Sequence, residues 1–398
     1  MKFIIFILII IISLLTFILF KLLIPKIKKS IFFTVISTII ITHIIFNPNI
    51  CLNSSLIGLK LFVNSVFVYL FPFLVLINIM ISFNGVHIYS KFLGNILCKP
   101  LKLPKNCSIV LIVSILCGYP LGAKYACDLY NDNFIDFETC ERLISIASNP
   151  SPLFIIGSVG NSMLHNNYIG FILLISCYLS CFIIGLIIPP EIHPRLNKYR
   201  DLNNNVSERN LGDVLKESID NALKTSISIG GFIVFFSVIS SIIKNNILFD
   251  IVLGNLSIYL DLPSNLLKNL ILGFLEMTNG CNLISLNNIN MVYKIIFISF
   301  FLGFSGLSII SQVYSIIFKY NFSIKKYINI KFVQGILCSI LSLILYKINL
   351  PHITNSVFKV NITNAYSFTS NGICIISIII LIIPFVLAKL SKLFNSVS

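Results

Sequence analysis

Residues 169–188 read IGFILLISCYLSCFIIGLII, with no charged side chain among them. A helix rising about 1.5 Å per residue needs roughly 20 apolar residues to cross the hydrocarbon core of a bilayer, and this run supplies them. Phe3 to Leu23 and Ile373 to Leu387 reach or approach the same length, which excludes a single-anchor design. Composition agrees: 57% of the 398 residues are hydrophobic, 11% are charged, and the mean hydropathy is +0.95. A water-soluble domain of this size carries far more polar surface. The expected fold is an all-α membrane protein, a polytopic helical bundle.

The net charge is +15, from 29 Lys plus Arg against 14 Asp plus Glu. Most basic residues sit in short loops between apolar runs, where they orient helices against the cytoplasmic face and its anionic lipids. No basic and aromatic stripe lies outside the apolar segments, so nucleic acid is not an expected partner. The 11 cysteines fall mostly inside apolar runs, among them Cys117, Cys177, Cys181 and Cys338, where a thiol behaves as a small hydrophobe. No C-x-x-C pair occurs, and His43, His87, His165, His193 and His352 are scattered. Neither a disulfide framework nor a metal site is expected. The first apolar run is followed by Lys21, Lys26, Lys28 and Lys29 rather than a cleavage site, and reads as a retained helix.

Placing the basic loops inside gives a topology. Ile31 to Phe46 leads out to an uncharged outer loop, Asn47 to Ser55, and Leu56 to Phe83 returns to Lys91, Lys99, Lys102 and Lys105. The uncharged loop Asn161 to Asn167 is outside, and Arg195 to Lys216 marks a long cytoplasmic connection. Only an odd number of crossings fits between Lys105 and Asn161, so the short run Cys107 to Cys117 is expected to be re-entrant, and the acidic stretch Leu121 to Arg142 interfacial. In the second half Thr225 to Ile243 exits, Leu266 to Cys281 is short and interrupted, and Met291 to Phe318 returns to Lys319, Lys325, Lys326 and Lys331. Phe332 to Tyr346 exits again, and a helix from Ile373 brings the end of the chain inside beside Lys389 and Lys392. The total is nine spans and two re-entrant segments.

The landmarks recur. Pro72 to Pro120 and Gly231 to Asn279 each span 48 residues, while Pro72 to Ser148 spans 76 and Gly231 to Ser305 spans 74. With the charge map this predicts two inverted repeats, each with a re-entrant hairpin and a broken helix, an arrangement found in secondary transporters. The expected units are an N-terminal helix pair (1–52), a first repeat (53–190), a cytoplasmic connection (191–224), a second repeat (225–350), and a C-terminal loop and helix (351–398).

Polar residues at membrane depth mark the candidate substrate site. At the first break, Cys117 to Lys124, Tyr119 offers an aromatic ring, and Lys124 either neutralises an anionic solute or snorkels to the interface. At the second, Ser148, Asn149 and Ser151 accompany Pro150 and Pro152, and the break either aims the amides of a restarting helix at an anion or is a packing kink with its serines bonded to backbone. In the other half Glu276, Thr278 and Asn279 sit at a hairpin tip, where the carboxylate carries a coupling proton, binds a solute donor, or lies at the interface in an outer loop. Ser305, Ser308 and Gln312 complete the set. No nucleophile with a neighbouring base, no H-E-x-x-H and no glycine-rich phosphate loop occurs, so no catalytic residue, enzymatic activity or cofactor is expected.

The strings Gly118 to Lys124, Asp128-Leu129-Tyr130, Glu141-Arg142-Leu143, Ser148 to Gly160, Ile229 to Ile233 and Glu276 to Gly280 resemble the YlbJ-type sporulation integral membrane proteins of endospore-forming bacteria, and the resemblance covers most of the chain. It implies two nucleoside-recognition (Gate) modules akin to those of concentrative nucleoside transporters. It further implies a multi-pass protein of the bacterial cell membrane, in sporulating cells the outer forespore membrane, carrying dipicolinic acid from mother cell towards forespore. The expected partners are the bilayer, a small anionic solute (dipicolinate) or a nucleoside, and a coupling proton or sodium. A non-transporting scaffold for spore assembly is the third reading.

Overall fold

Every regular element in the computed structural model is a helix, over the described residues 29–83, 85–189, 210–260 and 262–348. Contacts divide the chain into a unit Met1–Leu345 and a second unit Tyr346–Ser398. The helices below belong to the first, the last of them ending just past its boundary. The expected helices at Phe3 to Leu23 and from Ile373 lie outside the described residues, as do the C-terminal loop and most of the connection at 191–209.

The first described helices are α1 (Lys29–Phe46), α2 (Pro48–Leu61) and α3 (Val68–Ser82), the last two joined by a wide π-type turn at Phe62–Phe67. The uncharged loop expected at Asn47 to Ser55 is therefore corrected to helix: the chain breaks only at Asn47, bends by 103°, and restarts at Pro48. Proline suits a first helical turn, where its missing N–H has no partner to lose. The Ser54 hydroxyl returns to the Ile50 carbonyl at 2.7 Å, so the Asn-Ser-Ser stretch needs no water to satisfy that group.

Next come α4 (Gly85–Phe92), α5 (Gly94–Cys98), α6 (Ser108–Cys117), α7 (Leu121–Asn131), α8 (Phe137–Ile146), a π-type helix α9 (Leu153–Met163) and α10 (Asn167–Ile187). Then follow α11 (Leu211–Lys244), α12 (Ile247–Leu260), α13 (Ser264–Leu275), α14 (Met277–Leu286), α15 (Met291–Phe304), α16 (Gly306–Ile317) and α17 (Ile324–Lys347). Four helical stretches are long and apolar enough to cross a membrane among the described residues, and six if the two bent pairs each count as one. The arms α6, α7, α13 and α14 are about 15–18 Å long at helical rise, roughly half the hydrocarbon thickness. The two helices of each pair are separated by a break, at Gly118–Pro120 and at Glu276.

Three expected boundaries move. α11 starts at Leu211, capped by Asn210, whose side-chain oxygen accepts from the Gly212 amide at 3.2 Å, so residues 211–224 of the expected connection are helix and the boundary at 224 falls inside it. The boundary at 52 falls inside α2. α17 starts at Ile324, eight residues before the expected Phe332, which moves Lys331 from a cytoplasmic loop into a helix interior.

The order of elements recurs: hairpin, broken helix and long helix run as α6–α7, α8–α9, α10 and again as α13–α14, α15–α16, α17. Elements of the two series pack on one another, α7 with α16, α9 with α14 and α10 with α15, while α11 lies along α2 and α3. The core between them buries Leu74, Ile109, Leu121, Leu143 and Val113 with Ile310 and Val313. Arg142 closes one end of it. Its guanidinium donates to the carbonyls of Leu101 (2.6 Å), Gly185 (2.7 Å) and Ile188 (3.0 Å), using a planar fork to tie α8 to the last turn of α10.

Candidate solute site

The first hairpin turns at Gly118, Tyr119 and Pro120. Gly118 has φ +80°, and a Cβ there would stand 2.6 Å from the Ser151 amide nitrogen, so two backbone breaks touch where only glycine fits. The Tyr119 amide donates to the Asn149 carbonyl at 2.7 Å. The Tyr178 hydroxyl from α10 donates to the carbonyls of Ile115 (2.8 Å) and Pro150 (3.3 Å), groups that the breaks leave outside any helix ladder. Ser151 turns its hydroxyl to the Phe154 amide at 3.3 Å and so serves the start of α9.

α17 supplies the centre. Tyr327, Lys331 and Gln334 recur at helical spacing on one face, and all three are buried. The Lys331 ammonium, fully buried, donates to the Ser148 carbonyl and to Gln334 Oε1, both at 2.8 Å. Gln334 Nε2 donates to Asn149 Oδ1 at 3.1 Å, and the Tyr327 and Ser148 hydroxyls are 2.7 Å apart. The Tyr119 ring lies 5.7 Å from Lys331 Nζ, within cation–π reach. An ammonium has three hydrogens, and no carboxylate pairs with this one among the described residues.

The second half closes on the same place. Ser305, buried with φ +73°, joins α15 to α16 and stands beside Tyr327. The Tyr119 hydroxyl meets the Met277 sulfur at the start of α14. Glu276 caps that helix, accepting from the amides of Thr278 (2.9 Å) and Asn279 (2.6 Å), which places a carboxylate where the helix dipole favours it.

The site residues expected from sequence therefore separate. Tyr119, Ser148, Asn149 and Ser305 gather around α17, and Glu276 with Thr278 and Asn279 forms the helix start beside Tyr119. Lys124 points elsewhere: it pairs with Asp128 at 3.0 Å and lies over the Tyr125 ring. Ser308 and Gln312 share the buried face of α16, and neither amide atom of Gln312 has a partner among the described residues.

Over 336 residues, 79% of this chain and 81% of the other, the sequence is 28% identical to a Bacillus subtilis (strain 168) protein named sporulation integral membrane protein YlbJ. The chain is similar to that protein over most of its length. No family model matches it, and no solved structure does. Sequence reasoning missed Tyr327, Lys331 and Gln334, because Lys331 reads with Lys325 and Lys326 as a loop marker. The signal was present as Lys331-x-x-Gln334 running directly into an apolar helix, a polar pair one turn apart.

Proposed function

We propose that this multi-pass membrane protein is a secondary transporter of a small organic anion, dipicolinate, moving it from mother cell towards forespore across the outer forespore membrane. The observation that carries the reading is Lys331, an ammonium fully buried against neutral acceptors only. Burying an unpaired charge costs several kcal/mol, and about two hydrogen bonds to neutral groups do not neutralise it. An anionic solute does. Dipicolinate brings carboxylates for Lys331 and an aromatic ring for Tyr119.

The recurring order of hairpin, broken helix and long helix supports the rest, since two inverted repeats meeting at broken helices suit alternating access. The reading involves movement of solute with no bond made or broken. Support also comes from the likeness to a protein named for sporulation.

The test is dipicolinate movement in proteoliposomes containing the full chain, with uridine and adenosine as controls. Movement of dipicolinate that Lys331→Gln abolishes at equal membrane abundance is the expected result. Nucleoside movement without dipicolinate movement selects the nucleoside reading, and movement of neither selects the scaffold. Collapsing a proton or a sodium gradient in the same vesicles identifies the coupling ion.

A further inference from the structure

Helices α4 and α5 and the turn after them present four lysines without a carboxylate. Lys91, Lys99, Lys102 and Lys105 are exposed, none makes an ion pair among the described residues, and no Asp or Glu precedes Asp128 in the sequence. The same segment buries Val86, Ser90, Gly94 and Cys98 at four-residue spacing and turns Ile88, Phe92 and Ile96 outward, 44%, 50% and 68% exposed. Apolar and cationic groups are thus exposed together along this segment.

The face is held in shape. A Cβ on Gly94 would stand 2.7 Å from Lys105 Cβ, so the turn closes tightly on α5, and the Leu103 amide donates to the Cys98 carbonyl at 3.0 Å. Arg142 grips the Leu101 carbonyl from behind. α4 leaves α3 at 89°, so a bilayer crossed by α3 has α4 lying along its surface.

We propose that α4, α5 and the turn through Lys105 form a binding surface for anionic phospholipid headgroups. Ile88, Phe92 and Ile96 enter the acyl boundary, and the four ammoniums reach the phosphates, the pattern of a helix lying in the interface. The outward apolar stripe favours a lipid over free phosphate, which has no apolar part to bury. Each lysine near an anionic surface strengthens binding about fivefold.

Photoactivatable phosphatidylglycerol and phosphatidylcholine, each added to the full chain in detergent, test this without any variant. Phosphatidylglycerol is expected to label peptides from residues 85–105 at least about tenfold more than phosphatidylcholine does. Replacing all four lysines by Gln is expected to remove the preference, and replacing all four by Arg to keep it. Equal labelling by the two lipids, labelling confined to other segments, or an undiminished preference in the Gln variant overturns the proposal. Displacement by excess inorganic phosphate also overturns it, in favour of a free-anion site.

Discussion

The Lys331 ammonium donates to the carbonyl oxygen of Ser148, 183 residues earlier in the chain, at 2.8 Å. Ser148 lies in the break between α8 and α9, where prolines at 150 and 152 remove backbone donors and leave carbonyls open. A broken helix in one half thus supplies the acceptor for a buried cation in the other. The contact ties the two halves at a point where neither a helix ladder nor lipid satisfies the groups involved.

Lys331→Met removes a buried charge and two hydrogen bonds together. Relief of the unpaired charge offsets the lost bonds. The thermal midpoint of the purified chain is therefore expected to stay level or rise, while dipicolinate transport falls at least about tenfold because the solute's counter-charge is gone. A large drop in midpoint would show that Lys331 holds the fold, and full transport would remove it from the solute site.

Gln334→Leu leaves Asn149 Oδ1 without its donor and Lys331 with one acceptor fewer. Each orphaned buried group costs about 1–3 kcal/mol. Asn149→Leu orphans Gln334 Nε2 in the same way, so the double variant is expected to lose less than the two single losses added. A denaturation cycle over the four proteins measures the coupling, and strict additivity contradicts the contact.

The breaks were legible in the sequence because proline, glycine and polar strings interrupt apolar runs, and no helix ladder continues through Gly118-Tyr119-Pro120 or Ser148 to Pro152. The partner of those breaks was not. Lys331 follows Lys325 and Lys326, and a lysine next to a basic loop looks like a topology marker until the helix is seen to start at Ile324. Asn47 to Ser55 misled in the opposite sense: its polar residues read as loop, yet Ser54 bonds back within the helix. Lys124 stood out for its charge near a break, but its closest partner is the carboxylate one turn along its own helix.

Gly118 and Gly157 make a controlled pair. At Gly118 the backbone is left-handed and a methyl meets the Ser151 amide at 2.6 Å, whereas at Gly157 the nearest atom is a Leu153 methyl at 3.9 Å. Gly118→Ala is expected to cost more than about 2 kcal/mol or to prevent accumulation in the membrane. Gly157→Ala is expected to be neutral or stabilising by up to about 1 kcal/mol. Equal behaviour of the two variants in a thermal melt contradicts the contact between the breaks.

Asp132, in the turn between α7 and α8, has its carboxyl pushed above the usual range, first by burial and then by the charge of Asp128. The folded state thus holds the proton more tightly than the unfolded state, so ionisation works against folding as pH rises through that raised value. Asp132→Asn is expected to raise the thermal midpoint near pH 7, and the gain should vanish at about pH 2, below the ordinary carboxyl range. A gain of equal size at both pH values would mean that the charge is not its cause.

Ser323 starts α17 by accepting from the Lys326 amide at 3.2 Å, half of a capping box whose other half normally comes from an acidic residue at that third position. Here the third position is Lys326, and the carboxylate comes from α8 instead: Glu141 accepts from the Ser323 amide at 3.0 Å and from Lys326 Nζ at 2.6 Å. Glu141→Ala is expected to cost about 1 kcal/mol through the lost cap, with little from the ion pair because Lys326 is half exposed. Adding Lys326→Glu to Glu141→Ala rebuilds the box within α17 and should recover most of that loss. Lys326→Glu alone sets two carboxylates against one amide and should be worse than either. If the double variant melts no higher than Glu141→Ala, Glu141 acts by packing rather than by capping the helix that carries Lys331.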